Sequence, residues 1–463
     1  MQRGAGESNG VGTPSPVTGK TVAPRSARLG RVIGRGWRQV GMLLRPTTQE
    51  DRNILLFYAD IACQGVLAGA GAAYLSVFAV RLGASTLLVG LLSSLPALLL
   101  ALSAIPAGRY VARQRRLVTA VVRFTLVFDL GYLLIAGVPW LGGLAAAAIV
   151  VIWSLAALAN SVASVAFVAT MAEAVPPQRR ASFISTRYAI HACIAAVTLQ
   201  VTGRVLTHVP FPAGYQVVFV ASFVAAVSSA YALSRIRLPD QTAPPATSRA
   251  SLAEQLRTAK RAVRSEPAFF GYLSSATVFR LGMNLPSALY SVFWVNYLHL
   301  TDASIATVVT LNYTFTILGY YVWTRLSRRK GRAFVMAAAC LGLSLYPLLT
   351  GLAQSATLVY VVSAIGGFTG AGVNLAFLDV LLATVPADRR STYVALDSGT
   401  ANGMAFLGPI LGSLLDGALG IRPALYAAFG VRLLGGALFA LRPVHGRPEP
   451  PRQAATAAAG QSD

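Results

Sequence analysis

The apolar residues of this chain come in runs long enough to cross a bilayer, and that rules out an ordinary water-soluble globule. One such run, GGLAAAAIVVIWSLAALANSVASVAFVATMA, starts at Gly142. A helix rising about 1.5 Å per residue needs about 20 apolar residues to cover roughly 30 Å of hydrocarbon. Composition agrees: 55% of the 463 residues are hydrophobic and only 12% charged, with a mean hydropathy of +0.60. Soluble domains carry about a quarter charged residues, so the polar surface here is too small to wrap a soluble core. The expected class is an all-α membrane protein.

Reading apolar runs between polar punctuation predicts twelve transmembrane helices in two six-helix groups. The first six lie near 54–80, 86–107, 117–138, 142–172, 180–206 and 214–234, within an N-terminal bundle spanning 54–234. The second six lie near 268–298, 303–324, 333–352, 356–384, 391–417 and 421–441, within a C-terminal bundle spanning 268–441. Residues 1–53 read as a disordered basic tail with no cleavable signal peptide, and 442–463 as a second disordered tail. The linker 235–267 contains SLAEQLRTAKRAVRSEP. Ser251 and Glu254 stand there at capping-box spacing, and Arg257, Lys260, Arg261 and Arg264 interleave with apolar positions. That pattern predicts a short basic amphipathic helix on the membrane surface or a solvated linker helix.

The 39 Lys and Arg, against 16 Asp and Glu, give a formal charge of +23. They gather in the two tails, the linker and the loops after spans 2, 4, 8 and 10. Basic residues in short loops stay in the cytoplasm, so both termini are expected there, and the excess charge is expected to meet lipid headgroups rather than nucleic acid. Cys63, Cys193 and Cys340 lie inside apolar runs without metal or disulfide spacing and read as small buried hydrophobes. No metal site or cofactor is predicted.

Two loop segments recur. VPPQRR at Val175 follows span 4, and VPADRR at Val385 follows span 10, 210 positions on. GRYVARQRR at Gly108 follows span 2, and TRLSRRKGR at Thr324 follows span 8, offset by 216. Two pairs in matching slots at nearly one offset indicate a duplicated six-span unit, a pattern typical of transporters.

With these segments the chain resembles the major facilitator superfamily over residues 50–441. GRYVARQRR and TRLSRRKGR are similar to its loop signature G-x-L-A-D-R-x-G-R-R. Arg113 and Arg329 match the first basic position, and Arg116 and Arg332 the later one; Arg109 and Arg325 belong to the same loops. Arg179, Arg180, Arg389 and Arg390 match the family's basic loop after spans 4 and 10. The signature's acidic position, part of a cytoplasmic lock in the family, is Ala112 in one half and Arg328 in the other. The antiporter signature of span 5 is absent. GMAFLGPILG at Gly403 has a related Gly-Pro pattern in span 11, where it is read as allowing close packing or a kink. The resemblance implies substrate binding between the halves, with spans 1 and 7 lining the cavity and spans 3 and 12 peripheral.

An ionisable side chain within a span costs several kcal/mol unless it is paired or hydrated, about 2.5–3.5 on insertion scales. Aligning spans 1 and 7 on their outer ends places Asp60 and Arg280 at nearly equal depth and predicts an ion pair across the pseudo-two-fold axis. Arg187 and Asp397, 210 apart, are equivalent in spans 5 and 11, and His191 lies one turn beyond Arg187. These five are candidates for a gate or for proton coupling; the competing reading is static ion pairing that holds helices in register. Arg123 and Asp129 in span 3 and Arg432 in span 12 read as structural. Gln64, Tyr74, Asn160, Asn284, Tyr290, Trp294, Asn312, Tyr313 and Asn374 are the candidate lining of a substrate cavity for a small amphipathic solute, or else ordinary interhelical bonding.

No G-x-x-x-x-G-K-[ST] loop occurs, so energy is expected from an ion gradient, protons first, rather than ATP. The expectation is a secondary transporter in the inner membrane of a bacterium, acting as a monomer on a small-molecule substrate, with export favoured over uptake. A non-transporting sensor or scaffold of the same fold is the alternative. An enzyme is not expected.

Overall fold

The computed structural model describes residues 48–238, 267–384 and 390–441. Residues 1–47 and 442–463 of the two tails, most of the 235–267 linker with its amphipathic helix, and Arg389 lie outside the described residues, as does the side chain of Arg390; residues 49–53, read as the end of a disordered tail, are instead the start of the first helix. Every element among the described residues is helical. Helix α1 runs Gln49–Arg81, with a π turn at Ala68–Ala72. It is followed by α2 (Thr86–Ala112), α3 (Leu117–Gly137), α4 (Ala145–Ala174), α5 (Pro177–His208) and α6 (Ala213–Ser234). The second half holds α7 in two pieces, α7a (Pro267–Asn284) and α7b (Ser287–Val292), the latter prolonged by a π turn at Phe293–Tyr297. Then come α8 (Asp302–Lys330), α9 (Arg332–Gly351), α10 (Ala356–Thr384), α11 (Arg390–Leu419) and α12 (Ile421–Leu441).

Nine continuous helical stretches among the described residues are long and apolar enough to cross a membrane. One of them, Leu117–Ala174, holds both α3 and α4, joined by a 3₁₀ hairpin at Val138–Leu144. Two further crossings escape that criterion for physical reasons: α7 is broken, and α11 carries the polar stretch DSGTANG. The result, among the described residues, is twelve helices in two six-helix halves.

The break in α7 is closed by a residue from another helix. Pro286 has no N–H, so the carbonyl four residues before it, that of Gly282, loses its helical donor. In hydrocarbon that carbonyl needs another partner. Arg432 of α12, 3% exposed, supplies it: Nε donates to the Gly282 carbonyl at 3.2 Å, Nη2 to that of Met283 at 3.2 Å and Nη1 to that of Leu343 at 3.1 Å. The structural reading of Arg432 therefore takes a specific form, a cation capping a helix end inside the bundle. Arg432→Met should strand these carbonyls and cost about 2–3 kcal/mol, read as a fall of several degrees in the Tm of the purified protein. Adding Pro286→Ala should recover part of the loss, because it restores the Gly282 partner. An unchanged Tm in Arg432→Met would contradict the capping role.

Buried apolar side chains fall into three clusters whose positions describe how the halves meet. One cluster draws on α1–α6, α7b, α8, α10 and α12, and so joins both halves at the end of the bundle away from the chain termini, here the distal end. A second cluster lies wholly in the C-terminal half and a third wholly in the N-terminal half. The latter two occupy the terminal end, where Gln49 and Leu441 lie, and among the described residues they share no core.

The seam at the distal end is built on small residues in two equivalent helix pairs, α2 with α11 and α5 with α8. A Cβ on Gly203 of α5 would sit 2.7 Å from the Ala306 Cβ of α8, and one on Gly90 of α2 would sit 2.9 Å from the Pro409 carbonyl of α11. Neither site has room for a side chain, which is how small residues let membrane helices approach. Most glycines of GMAFLGPILG and of the runs at Ala68 and Gly366 likewise mark tight crossings, Gly403 and Gly370 being open: Gly412 abuts the Leu285 backbone, Gly69 abuts Thr198, and Gly366 abuts the Tyr346 ring.

Candidate functional site

The predicted Asp60–Arg280 pair across the axis does not form; each residue pairs within its own half. Asp60, 1% exposed on α1, accepts from Arg187 Nη2 at 2.8 Å and from the Ser229 hydroxyl of α6 at 2.7 Å. Gln64 Nε2 donates to that hydroxyl at 3.3 Å. In the other half Arg280 of α7a forks onto Asp397 of α11, Nη1 to Oδ1 at 2.7 Å and Nη2 to Oδ2 at 2.8 Å. The Tyr272 hydroxyl adds a third donor to the carboxylate, on Oδ1 at 3.1 Å, and Arg280 also reaches the Thr400 hydroxyl at 3.4 Å.

The reason lies in the register. Phe57 of α1 meets Phe183 of α5 with ring centroids 5.6 Å apart, and Phe269 of α7 meets Tyr393 of α11 at 4.6 Å. These ring pairs superpose the halves with Asp60 opposite Tyr272, two turns away from Arg280. Alignment on the distal ends misplaced α7 because α1 and α7 are interrupted differently, by a π turn in one and by a proline break with a π turn in the other. The equivalence of Arg187 and Asp397 does hold, and a further pair goes with it. Arg187 lies over the Phe167 ring of α4 at 4.3 Å, and Arg280 over the Phe377 ring of α10 at 4.8 Å. Phe167 and Phe377 are also 210 apart, so each half holds one guanidinium on the same aromatic platform, delivered from a different helix.

Both ion pairs keep a partly exposed cation beside a more hidden acid: side-chain exposure is 17% for Arg187 and 2% for Asp60, 14% for Arg280 and 11% for Asp397. Neutralising either carboxylate would release its guanidinium. His191, half-buried one turn beyond Arg187, has no hydrogen bond to any described residue.

The other candidates separate. Tyr74 is not in a cavity; it is fully buried, and its hydroxyl donates to the Asp302 carbonyl across the halves at 3.1 Å. Asn312 donates to the Ser363 carbonyl at 3.2 Å, joining α8 to α10, and Asn284 donates to the Arg280 carbonyl at 2.9 Å at the helix break. Tyr290 stacks on Trp294 at 6.1 Å and packs edge-on to Tyr346 of α9 at 5.0 Å. The Tyr290 hydroxyl and the Trp294 indole N–H are buried without a partner among the described residues. Asn160 is half-buried, and Tyr313 and Asn374 are exposed.

In the basic loops, Arg109, Arg113, Arg116, Arg325 and Arg329 are exposed and Arg332 is half-exposed, with no hydrogen bond to described residues. Arg179 bonds Asp51 at the start of α1 at 2.8 Å. Arg180 donates to the carbonyls of Val175, at 3.0 Å, and Ala172, capping α4. The first V-P-x-x-R-R segment thus ties α4 and α5 to α1.

A second constellation was not recognised in the sequence. At the distal end Asp302, first residue of α8, takes three donors on Oδ1: Arg81 Nε at 3.1 Å, Arg81 Nη2 at 2.9 Å and the Tyr215 hydroxyl at 2.7 Å. Arg81 Nη2 also reaches the Leu300 carbonyl at 3.2 Å. Arg81 and Tyr215 belong to the first half and Asp302 to the second, so this is an inter-half latch. The signal was present, since Arg81 and Asp302 are ionisable residues at the ends of spans on a side otherwise poor in charge. The remaining hydrogen bonds between the halves among the described residues also lie distally: Ser76 with Ser291 at 2.9 Å, Gln200 with Thr310 at 2.8 Å and Ser413 with the Thr86 carbonyl at 2.9 Å.

Two pseudo-symmetric six-helix halves, each with its own buried ion pair, define a membrane protein of the transporter-fold class. Residues 273–462 match the Major Facilitator Superfamily profile. Among curated relatives, the multidrug resistance protein MdtG of Serratia proteamaculans is 31% identical over 128 residues, 27% of this chain and 30% of the relative. MdtG of Escherichia coli K12 is 30% identical over 129 residues, 27% of this chain and 31% of the relative. The match therefore spans under a third of the length of these relatives. Solved structures share the fold over most of the chain. A bacterial homologue of the iron transporter ferroportin in an inward-facing state has a TM-score of 0.65 at 14% identity, covering 85% of this chain and 98% of that one. A bacterial homologue of the lysosomal transporter Spinster, inward-facing and occupied, has 0.63 at 14% identity, covering 88% and 97%.

Proposed function

We propose that the chain is a secondary transporter that exports a small amphipathic solute in exchange for protons, by rocking of its two halves. The observation that carries this reading is the one-sided seam. The hydrogen bonds and shared core between the halves sit at the distal end, while the ion pairs nearer the termini close within each half. An arrangement held together at one end and divided at the other is one of the two states that alternating access needs. The basic loops support a cytoplasmic position for the divided end, which makes this the inward-facing state with both termini inside; the membrane of this proposal is the inner membrane of a bacterium. The names of the MdtG relatives support export of drug-like compounds. Asp60 and Asp397 are the proposed proton acceptors, with Arg187 and Arg280 released on protonation and His191 beside the first pair. The chain acts as a monomer in contact with lipid headgroups through its basic loops.

Proteoliposomes loaded with a panel of amphipathic fluorescent dyes, under an imposed pH gradient, test this. Gradient-dependent dye movement is expected and should be lost on collapsing the gradient. No flux for any dye, with or without a gradient, would favour a sensor or scaffold of the same fold.

A further inference from the structure

Beside the distal latch lies a cavity of about 470 Å³, walled by both halves. That volume is within the range of small-molecule sites, about 300–1,000 Å³. Leu206, Val209 and Phe211 from the first half and Val295 from the second form its apolar wall. Arg81, Asp302, Tyr215 and Asn296 supply the polar lining. The Asp302 carboxylate is charge-paired with Arg81 and takes three donors on Oδ1, with Oδ2 taking none among the described residues, while Arg81 has Nε and Nη2 engaged and Nη1 without a partner among the described residues. Arg81 is the more open of the pair, 27% exposed against 9%, and Asn296 is exposed with an amide to donate.

We infer that this cavity is a binding site for an amphipathic monocarboxylate entering from the distal side. The carboxylate accepts from Arg81 Nη1 and the Asn296 amide, and the alkyl body lies on Leu206, Val209, Phe211 and Val295. Because Val295 and Asp302 move with one half and Leu206 and Arg81 with the other, outward opening would pull the site apart. An occupant therefore holds the distal end shut and arrests the cycle from outside. The rocking motion belongs to the proposed function, but the binding itself does not depend on it.

The test uses the full-length protein in nanodiscs of zwitterionic lipid with decanoate, decanol and decyltrimethylammonium as probes, read by thermal shift and by titration calorimetry. Decanoate should bind saturably and raise Tm, and the neutral and cationic probes should not. Asn296→Asp, at an exposed position that keeps the latch, should weaken decanoate binding about tenfold or more, the size of one charge-assisted contact. Leu206→Trp, which fills the apolar end, should abolish binding with Arg81 and Asp302 intact. Nanodiscs containing phosphatidylglycerol test the source of the anion: loss of the decanoate signal there, with a raised baseline Tm, would show that the site takes a lipid phosphodiester and would overturn the carboxylate assignment. Equal shifts from all three probes, or decanoate binding unaltered in both variants, would overturn the inference. These readouts need no flux, so they stand or fall separately from transport.

Discussion

Asp397→Ala and Asp60→Ala should each be strongly destabilising, and each should couple to the arginine of its own half alone. Removing one member of a buried ion pair leaves an uncompensated charge, at a cost of about 3–5 kcal/mol in well-buried cases. The lower end applies here because both guanidinium groups keep some exposure. Double-mutant cycles resolve the pairing. Asp60 with Arg187 and Arg280 with Asp397 should show coupling of about 1 kcal/mol or more, while Asp60 with Arg280 should be additive within about 0.5 kcal/mol. Apparent stability in detergent gives the energies. A sizeable Asp60–Arg280 coupling would revive the pair across the axis.

The second large effect is expected at the latch. Asp302→Asn keeps an Oδ1 acceptor but removes the negative charge that holds Arg81 and strengthens the Tyr215 bond, the first half's donors to the second half at this position. A loss of about 1.4 kcal/mol of inter-half attraction moves the equilibrium between distal-closed and distal-open states tenfold. Labelling of Ser291→Cys by a membrane-impermeant maleimide added from the distal side should quicken by about that factor in the Asp302→Asn background. Tyr215→Phe, which removes one neutral donor, should have a smaller effect. Unaltered labelling in Asp302→Asn would show that the latch does not hold this end closed.

Much of the architecture was legible because lipid imposes simple rules. Span-length apolar runs and basic loops gave twelve helices in two groups, and the V-P-x-x-R-R echo gave the duplication. The 210 register carried correctly to Arg187 and Asp397, since α4, α5, α10 and α11 are aligned without interruption between the echoed loops and these residues. It failed for α1 and α7, where a π turn and a proline break shift the frame and where Arg280 reaches its acid from two turns away. Interrupted helices are invisible to span counting, although Pro286 together with a buried Arg432 in a neighbouring span is a readable sign of one. The latch was missed for a different reason. Arg81 and Asp302 end their helices, and a sequence does not say whether a terminal charge faces water or the opposite half. Tyr74, read as a cavity residue from its polarity, was placed by that latch region instead.

Joining the halves where they meet tests alternating access most directly. The Ser76 and Ser291 hydroxyls lie 2.9 Å apart across the distal seam, so Ser76→Cys with Ser291→Cys should form a disulfide under mild oxidation. With the cross-link complete, dye flux driven by the proton gradient should stop and then return on reduction, while each single variant transports in both conditions. Undiminished flux through fully cross-linked protein would contradict the account, because a protein that never opens its distal end cannot move solute by rocking its halves.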